Sequence, residues 1–155
     1  MSDLPTVALR RCAGAELDAA VLHALLELRV GVFVVEQACP YQEVDGRDLE
    51  PQTRHFWLEG AGGEVISTLR LMTDSPGVSS PLRIGRVCTR AGHRGRGHSG
   101  RLLQAALAEV GQRPCRISAQ TYLSGMYARH GFVADGEEFV EDGIPHVPML
   151  RGALR

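Results

Sequence analysis

The seven residues Arg94-Gly95-Arg96-Gly97-His98-Ser99-Gly100 carry the most specific chemistry legible in this chain. They follow an apolar, strand-like run and precede a helical one. At such a junction unpaired backbone N–H groups and the positive end of a helix dipole converge, and phosphate binds there. Glycine lets the backbone approach an anion with no Cβ between them, and Arg94, Arg96 and Arg101 add positive charge. The plain alternative is a solvated Arg/Gly turn. Gly95, Gly97 and Gly100 also fit G-x-G-x-x-G, a dinucleotide-binding spacing that wants an acidic residue about 20 positions on, at the end of the next strand. That strand runs into Gln120 and Thr121, and too little chain follows for a doubly wound nucleotide domain, so nicotinamide binding is not expected.

Composition removes other chemistries. All 17 basic residues are arginine, so there is no Walker-type phosphate lysine and no Schiff-base amine. A net charge of -1 gives no electrostatic reason to expect nucleic acid or a membrane as partner. Cys12, Cys39, Cys88 and Cys115 stand apart, with no C-x-x-C pair and no Cys/His cluster, so no metal is expected. No leader segment and no apolar run near the roughly 20 residues of a membrane helix are legible. The expectation is a soluble cytoplasmic protein with reduced thiols, forming a single domain over residues 1–155.

The elements that must position the loop follow from periodicity. Residues 7–10 alternate as a short strand, and 13–29 carry Leu17, Val21, Leu25 and Leu28 at helical spacing. Residues 30–48 read as a short helix and then an ordered polar loop, a candidate site wall. Residues 54–59 and 65–72 alternate around Gly60-Ala61-Gly62-Gly63 as an antiparallel hairpin. Residues 73–81 read as a surface turn, 82–89 as a strand, and 101–110 as a helix with Leu102, Leu103, Ala106, Leu107 and Val110 on one stripe. A strand at 116–119, a short helix at 123–130, and a closing pair, 132–141 with 146–151, complete the order.

Several separate motifs carry a family resemblance. Arg94, Gly97 and Ser99 match R-x-x-G-x-G/A, the pattern that holds the pyrophosphate of coenzyme A in the GNAT superfamily of N-acetyltransferases, with Ser99 departing from the small-residue norm. Leu28-Arg29, Val32 to Gln37, Cys39 to Gln42, Val44-Asp45-Gly46, Asp48-Leu49 and Arg54-His55 resemble the N-terminal half of ElaA-type proteins. Ile84 to Val87 and Glu141 to His146 resemble their second half. The resemblance spans nearly the whole chain. It implies an α/β (α+β) GNAT fold: a mixed, mostly antiparallel central sheet flanked by helices, whose fourth and fifth strands splay apart to admit acetyl-CoA.

The same resemblance implies roles. The backbone of Val87 and Thr89 would hold the pantetheine arm, and the loop from Arg94 through Gly95, Arg96, Gly97, His98 and Ser99 to Gly100 would hold the pyrophosphate. Tyr127, four residues before Gly131-Phe132, matches the tyrosine that protonates the departing thiolate; the alternative is a tyrosine packing a helix on the sheet. An alkyl amine is almost wholly protonated at pH 7 and must lose a proton before it attacks a thioester. Glu36 is the first candidate base, expected to be partly buried after its apolar run, with His55 and His146 next. Structural pairing of Glu36 with Arg29 is the alternative. Tyr41, Asp45, Gln120 and Glu141 complete the polar residues that could border an acceptor pocket, Asp45 and Asp48 being read as loop-ordering carboxylates or as contacts to a cationic acceptor. The expected reaction is direct acetyl transfer in a ternary complex, with no acyl-cysteine, to a small-molecule amine or a protein N-terminus. A non-catalytic acyl-CoA-binding module is the competing reading. The closing strands could pair in a homodimer.

Overall fold

The computed structural model describes residues 6–75 and 81–152; the centre of the turn expected at 73–81 lies outside them. Eight strands form one sheet: β1 (Ala8–Ala13), β2 (Arg54–Glu59), β3 (Val65–Thr73), β4 (Leu82–Thr89), β5 (Cys115–Gln120), β6 (Val133–Ala134), β7 (Phe139–Glu141) and β8 (Ile144–Arg151). The order is β1-β2-β3-β4-β5-β8-β6, with β7 also pairing β8. Neighbours run antiparallel except β4 and β5, which are parallel and in register only at Leu82↔Cys115 and Arg83↔Arg116. Beyond Arg83 the two strands part. This is the mixed, splayed sheet that the family resemblance implied.

Alternation along β2 explains the layers. Phe56 and Leu58 face α2 (His98–Val110), packing with Leu69, Leu71, Leu102, Leu103 and Leu107; Trp57 faces the other way, onto Leu25 and Leu28 of α1 (Ala19–Arg29). Covered on both sides, β3 is buried at every position. Burying one such leucine is worth about 2 kcal/mol.

Several boundaries differ from periodicity, three of them for a local reason. Helix α1 begins at Ala19, not near Ala13, because the Asp18 carboxylate caps the Val21 amide at 2.8 Å and residues 14–16 form a separate 3₁₀ turn. Helix α2 begins at His98, three residues early, because Gly97 takes a left-handed N-cap conformation (φ 77°) that turns the chain into the helix. The strand expected over 132–141 breaks into β6 and β7. Between them Gly136 passes so close to Pro148 that a Cβ would lie 2.7 Å from its ring. The short helix expected at 123–130 is a 3₁₀ turn followed by α3 (Ser124–Ala128).

Directly after α1 the helix widens into a π-helical segment, Val30–Glu36, where the Gln37 amide bonds back five residues to Val32 O at 2.9 Å. Such segments re-aim side chains and recur at functional sites.

Candidate active site

The parting of β4 from β5 opens a cleft of about 790 Å³, walled by the π-helical segment, the loop behind it, β4, the β4–α2 loop, the end of β5, α3 and the β7–β8 turn. Strand β4 is itself kinked. Its register with β3 shifts between Thr68 and Arg70, and Arg86 adopts φ 53°, the strained left-handed conformation of a bulge. The bulge turns the Arg86 side chain under the Tyr41 ring, 5.0 Å from its centroid, with Nε 2.9 Å from Glu43 Oε2.

Arg86 is the outer member of a charge network that pins the cleft-wall loop to the sheet. Arg29 donates to Glu43 and Asp48, each at 2.6 Å, and Arg70 donates to Asp45 at 2.9 Å and to Asp48 at 3.1 Å. Three arginines face three carboxylates, and Arg29, Glu43, Asp48 and Arg70 are almost wholly buried. Burial opposes ionisation of Asp45, but hydrogen bonds from Arg70 and from the Arg47 amide overcome it and lower its pKa to about 2. Asp48 is held below its ordinary range in the same way, burial being outweighed by Arg29 and Arg70. Both carboxylates therefore face guanidinium groups and order the loop.

At the other end of the cleft lies the β4–α2 loop. Gly95 and Gly97 take φ 76° and 77°, with no heavy atom within 4 Å of a Cβ added at either, so open space lies beside the backbone. The first amides of α2 have no partner within the helix. His98, in the first turn, has its pKa lowered by burial and then by the positive field of His93, Arg96 and Arg101. An anion fits this environment. Ser99 uses its extra hydroxyl: its Oγ meets Thr89 Oγ1 at 3.2 Å, and Thr89 Oγ1 meets Ser67 Oγ at 2.8 Å, tying the helix start to β4 and β3.

Most of the residues singled out in the sequence meet in this one cleft: Val87, Thr89, Arg94, Gly95, Gly97, His98, Ser99, Gly100, Tyr127 and Glu36 line it, as do Tyr41, Asp45, Gln120, Glu141 and His146. The Arg96 side chain is exposed and outside the lining and Arg101 reaches Val7 O at 2.8 Å, while both add positive field at His98. One histidine reading is corrected. His55 is fully buried beneath the charge network, its Nε2 2.9 Å from Asp48 O, and burial lowers its pKa; it reaches no part of the cleft and cannot act there.

The expected partial burial of Glu36 is also corrected. It is exposed, and its partner is Arg94, while Arg29 goes to Glu43 and Asp48. His146 stacks on Phe139 and its Nδ1 meets Ile144 O at 2.7 Å. Tyr127 is buried edge-on to Phe132, with its hydroxyl pKa raised by burial and then by Tyr122. Cys88 lies in the core against α1, and burial pushes its thiol up to about 12. Sequence reasoning missed Gln37 and Tyr122. Gln37 was detectable only as the polar residue after Glu36, and Tyr122 gave no signal.

The arrangement fits a long, phosphorylated thioester. Among the described residues, β4 has no ladder partner on its β5 side beyond Arg83, so its edge is open to an extended ligand except at Thr89 O, which accepts from Arg94 Nε, and the strand leads to the β4–α2 loop. Comparison with known proteins agrees. The family model described as Acetyltransferase (GNAT) domain matches residues 20–151. A UPF0039 protein of Mycobacterium tuberculosis is 66% identical over 146 residues, 94% of each chain. Protein ElaA of Escherichia coli is 36% identical, over 91% of this chain and 94% of its own. The crystal structure of Escherichia coli ElaA superposes with a TM-score of 0.88 at 34% identity, over 94% of this chain and 99% of that one. An acyl-CoA N-acyltransferase from Pseudomonas aeruginosa gives a TM-score of 0.87 at 40% identity, over 95% and 100%.

Proposed function

The chain belongs to the GNAT acetyltransferase family, in the ElaA group, and on that premise we propose that it transfers an acetyl group from acetyl-CoA to an amine by direct attack in a ternary complex. The observation that carries the reading is the parting of β4 and β5 beside a left-handed glycine loop, which supplies an open strand edge and an anion cradle in one cleft. Arg94 and the loop amides from Gly97 to Gly100 would hold the phosphates, and the backbone of Val87 and Thr89 the arm. Acetyl-CoA, when bound, supplies an activated acyl carbonyl.

This chain's residues do the rest. The cleft orients the amine and thioester together, an effect worth about 7 kcal/mol or more when alignment is good. Glu36 takes the proton that the ammonium must lose. Tyr127 keeps its proton across the neutral range, as a phenol does, and would give it to the departing sulfur, although burial has raised its pKa. With so high a pKa that donation is uphill unless the phenol is reprotonated, and the proton released by the acylated nitrogen can return to it. Cys88 takes no part, since a thiol this resistant to ionisation is a poor nucleophile.

Titration calorimetry with acetyl-CoA and, separately, NAD(H), followed by thiol release across an amine panel, tests the proposal. The expected result is acetyl-CoA binding alone, weakened in R94A, with thiol release on some class of amine. Binding without release from any amine would favour the non-catalytic acyl-CoA module, and no binding would overturn both.

A further inference from the structure

The end of the π-helical segment is tied to both walls of the cleft. Arg94 grips Glu36 with two nitrogens, Nη1 to Oε2 at 2.8 Å and Nη2 to Oε1 at 3.0 Å, while its Nε donates to Thr89 O at 3.0 Å. One residue on, Gln37 Oε1 accepts from Gln120 Nε2 at 3.0 Å. The first tie reaches the anion-binding loop and the second the end of β5, so consecutive side chains span the gap that the splayed strands leave.

The two ties differ in kind. The Glu36–Arg94 pair lies in water, its side chains 42% and 46% exposed, and a pair so exposed contributes little to holding the fold together. Yet it occupies both carboxylate oxygens and both terminal nitrogens of the guanidinium. A phosphate in the adjoining loop presents the same fork of oxygens with more charge, and bidentate Arg–phosphate contacts are among the strong hydrogen bonds. While Arg94 holds it, each Glu36 oxygen already accepts one charge-assisted hydrogen bond, and the carboxylate faces the guanidinium rather than an incoming ammonium.

Building on the acyl-CoA reading above, we infer that Glu36 and the cofactor's phosphates are alternative partners of Arg94. Cofactor binding then draws Arg94 away and frees Glu36 to receive the amine. The acceptor site is thus armed by the cofactor, and Arg94 is a positioning residue for the base as well as a phosphate ligand. No bond is made or broken in the exchange. One ion pair replaces another, and the proton that Glu36 later accepts comes from the acceptor ammonium.

A double-mutant cycle on coenzyme A binding, measured by calorimetry with the free thiol so that no turnover intervenes, tests this. Because Glu36 competes for Arg94, E36Q is expected to bind coenzyme A about 2- to 5-fold tighter than the parent, the range set by removing one exposed ion pair. R94A is expected to bind more weakly, and E36Q in the R94A background is expected to change nothing further. An equal gain from E36Q in both backgrounds would mean that the carboxylate acts only as a diffuse negative charge, and would overturn the exchange. Weaker binding by E36Q would overturn it as well. If the parent chain fails to bind coenzyme A at all, the acyl-CoA reading itself falls, a result distinct from either of these.

Discussion

Arg29 Nη1 stands 2.6 Å from Asp48 Oδ1, a salt bridge between two side chains that are almost wholly out of water and 19 residues apart. It joins the end of α1 to the loop that walls the cleft. The network around it, Arg29, Arg70 and Arg86 against Glu43, Asp45 and Asp48, balances charge within itself. Its removal should therefore reveal how much the wall depends on it.

Arg29→Met leaves Glu43 and Asp48 buried with less counter-charge. Breaking a buried pair from one side costs about 3 kcal/mol or more, because the remaining charge stays desolvated. Urea denaturation of the variant is expected to show a loss of that size. A loss under about 1 kcal/mol would mean that Arg70 and Arg86 compensate.

Stability should fall with acid in two stages. Burial places the folded pKa of His55 below its ordinary value near 6.5, so only the unfolded chain takes up this proton as the pH drops past 6.5, and unfolding is favoured from there downward. Asp45, held at about 2, and Asp48, lowered likewise, stabilise the fold above their ordinary pKa near 3.9. That contribution is lost between about pH 4 and the folded values. Thermal melts from pH 7.5 to 3 are expected to show both stages, and His55→Gln, which keeps an N–H donor for Asp48 O, is expected to flatten the upper one only.

Gly97→Ala isolates backbone strain at the β4–α2 loop. Its Cβ meets no atom within 4 Å, so the cost comes from φ 77° alone, about 1 to 2 kcal/mol for an L-residue held left-handed. Lower thermal stability together with weaker coenzyme A binding is expected. Gly125→Ala, in open space at an ordinary helical φ within α3, serves as the control: it should leave coenzyme A binding unchanged and thermal stability unchanged or slightly raised.

Tyr127→Phe keeps the edge-on packing against Phe132 and removes only the hydroxyl. If that hydroxyl donates the proton, kcat should fall by about 100-fold or more with coenzyme A affinity unchanged. Cys88→Ala should retain the rate, since direct transfer needs no thiol. Steady-state thiol release with both variants separates these roles, and a rate lost with Cys88 but kept in Tyr127→Phe would reverse them.

The strand-then-helix order, the hairpin around residues 60–63 and the loop at Arg94–Gly100 were legible because each depends on a few consecutive residues. Apolar spacing chooses the helical or extended period, and glycine permits the left-handed turn before α2. Boundaries slipped where one side chain or one close approach decided them, as with the Asp18 cap and the passage of Gly136 over Pro148.

What the sequence by itself determined is the chemistry available: a glycine- and arginine-rich loop between strand and helix, a tyrosine before Gly131-Phe132, thiols without partner bases, and no lysine. Only the tertiary structure decided which groups meet. His55 looked like a base and is locked under Asp48; Glu36 looked partly buried and stands in water on Arg94, 58 residues away. Periodicity reports the face on which a side chain lies. Its partner and its exposure depend on long-range closure of the chain, here on α1 and its π-helical extension packing across β3 and β4, and no local pattern encodes that distance.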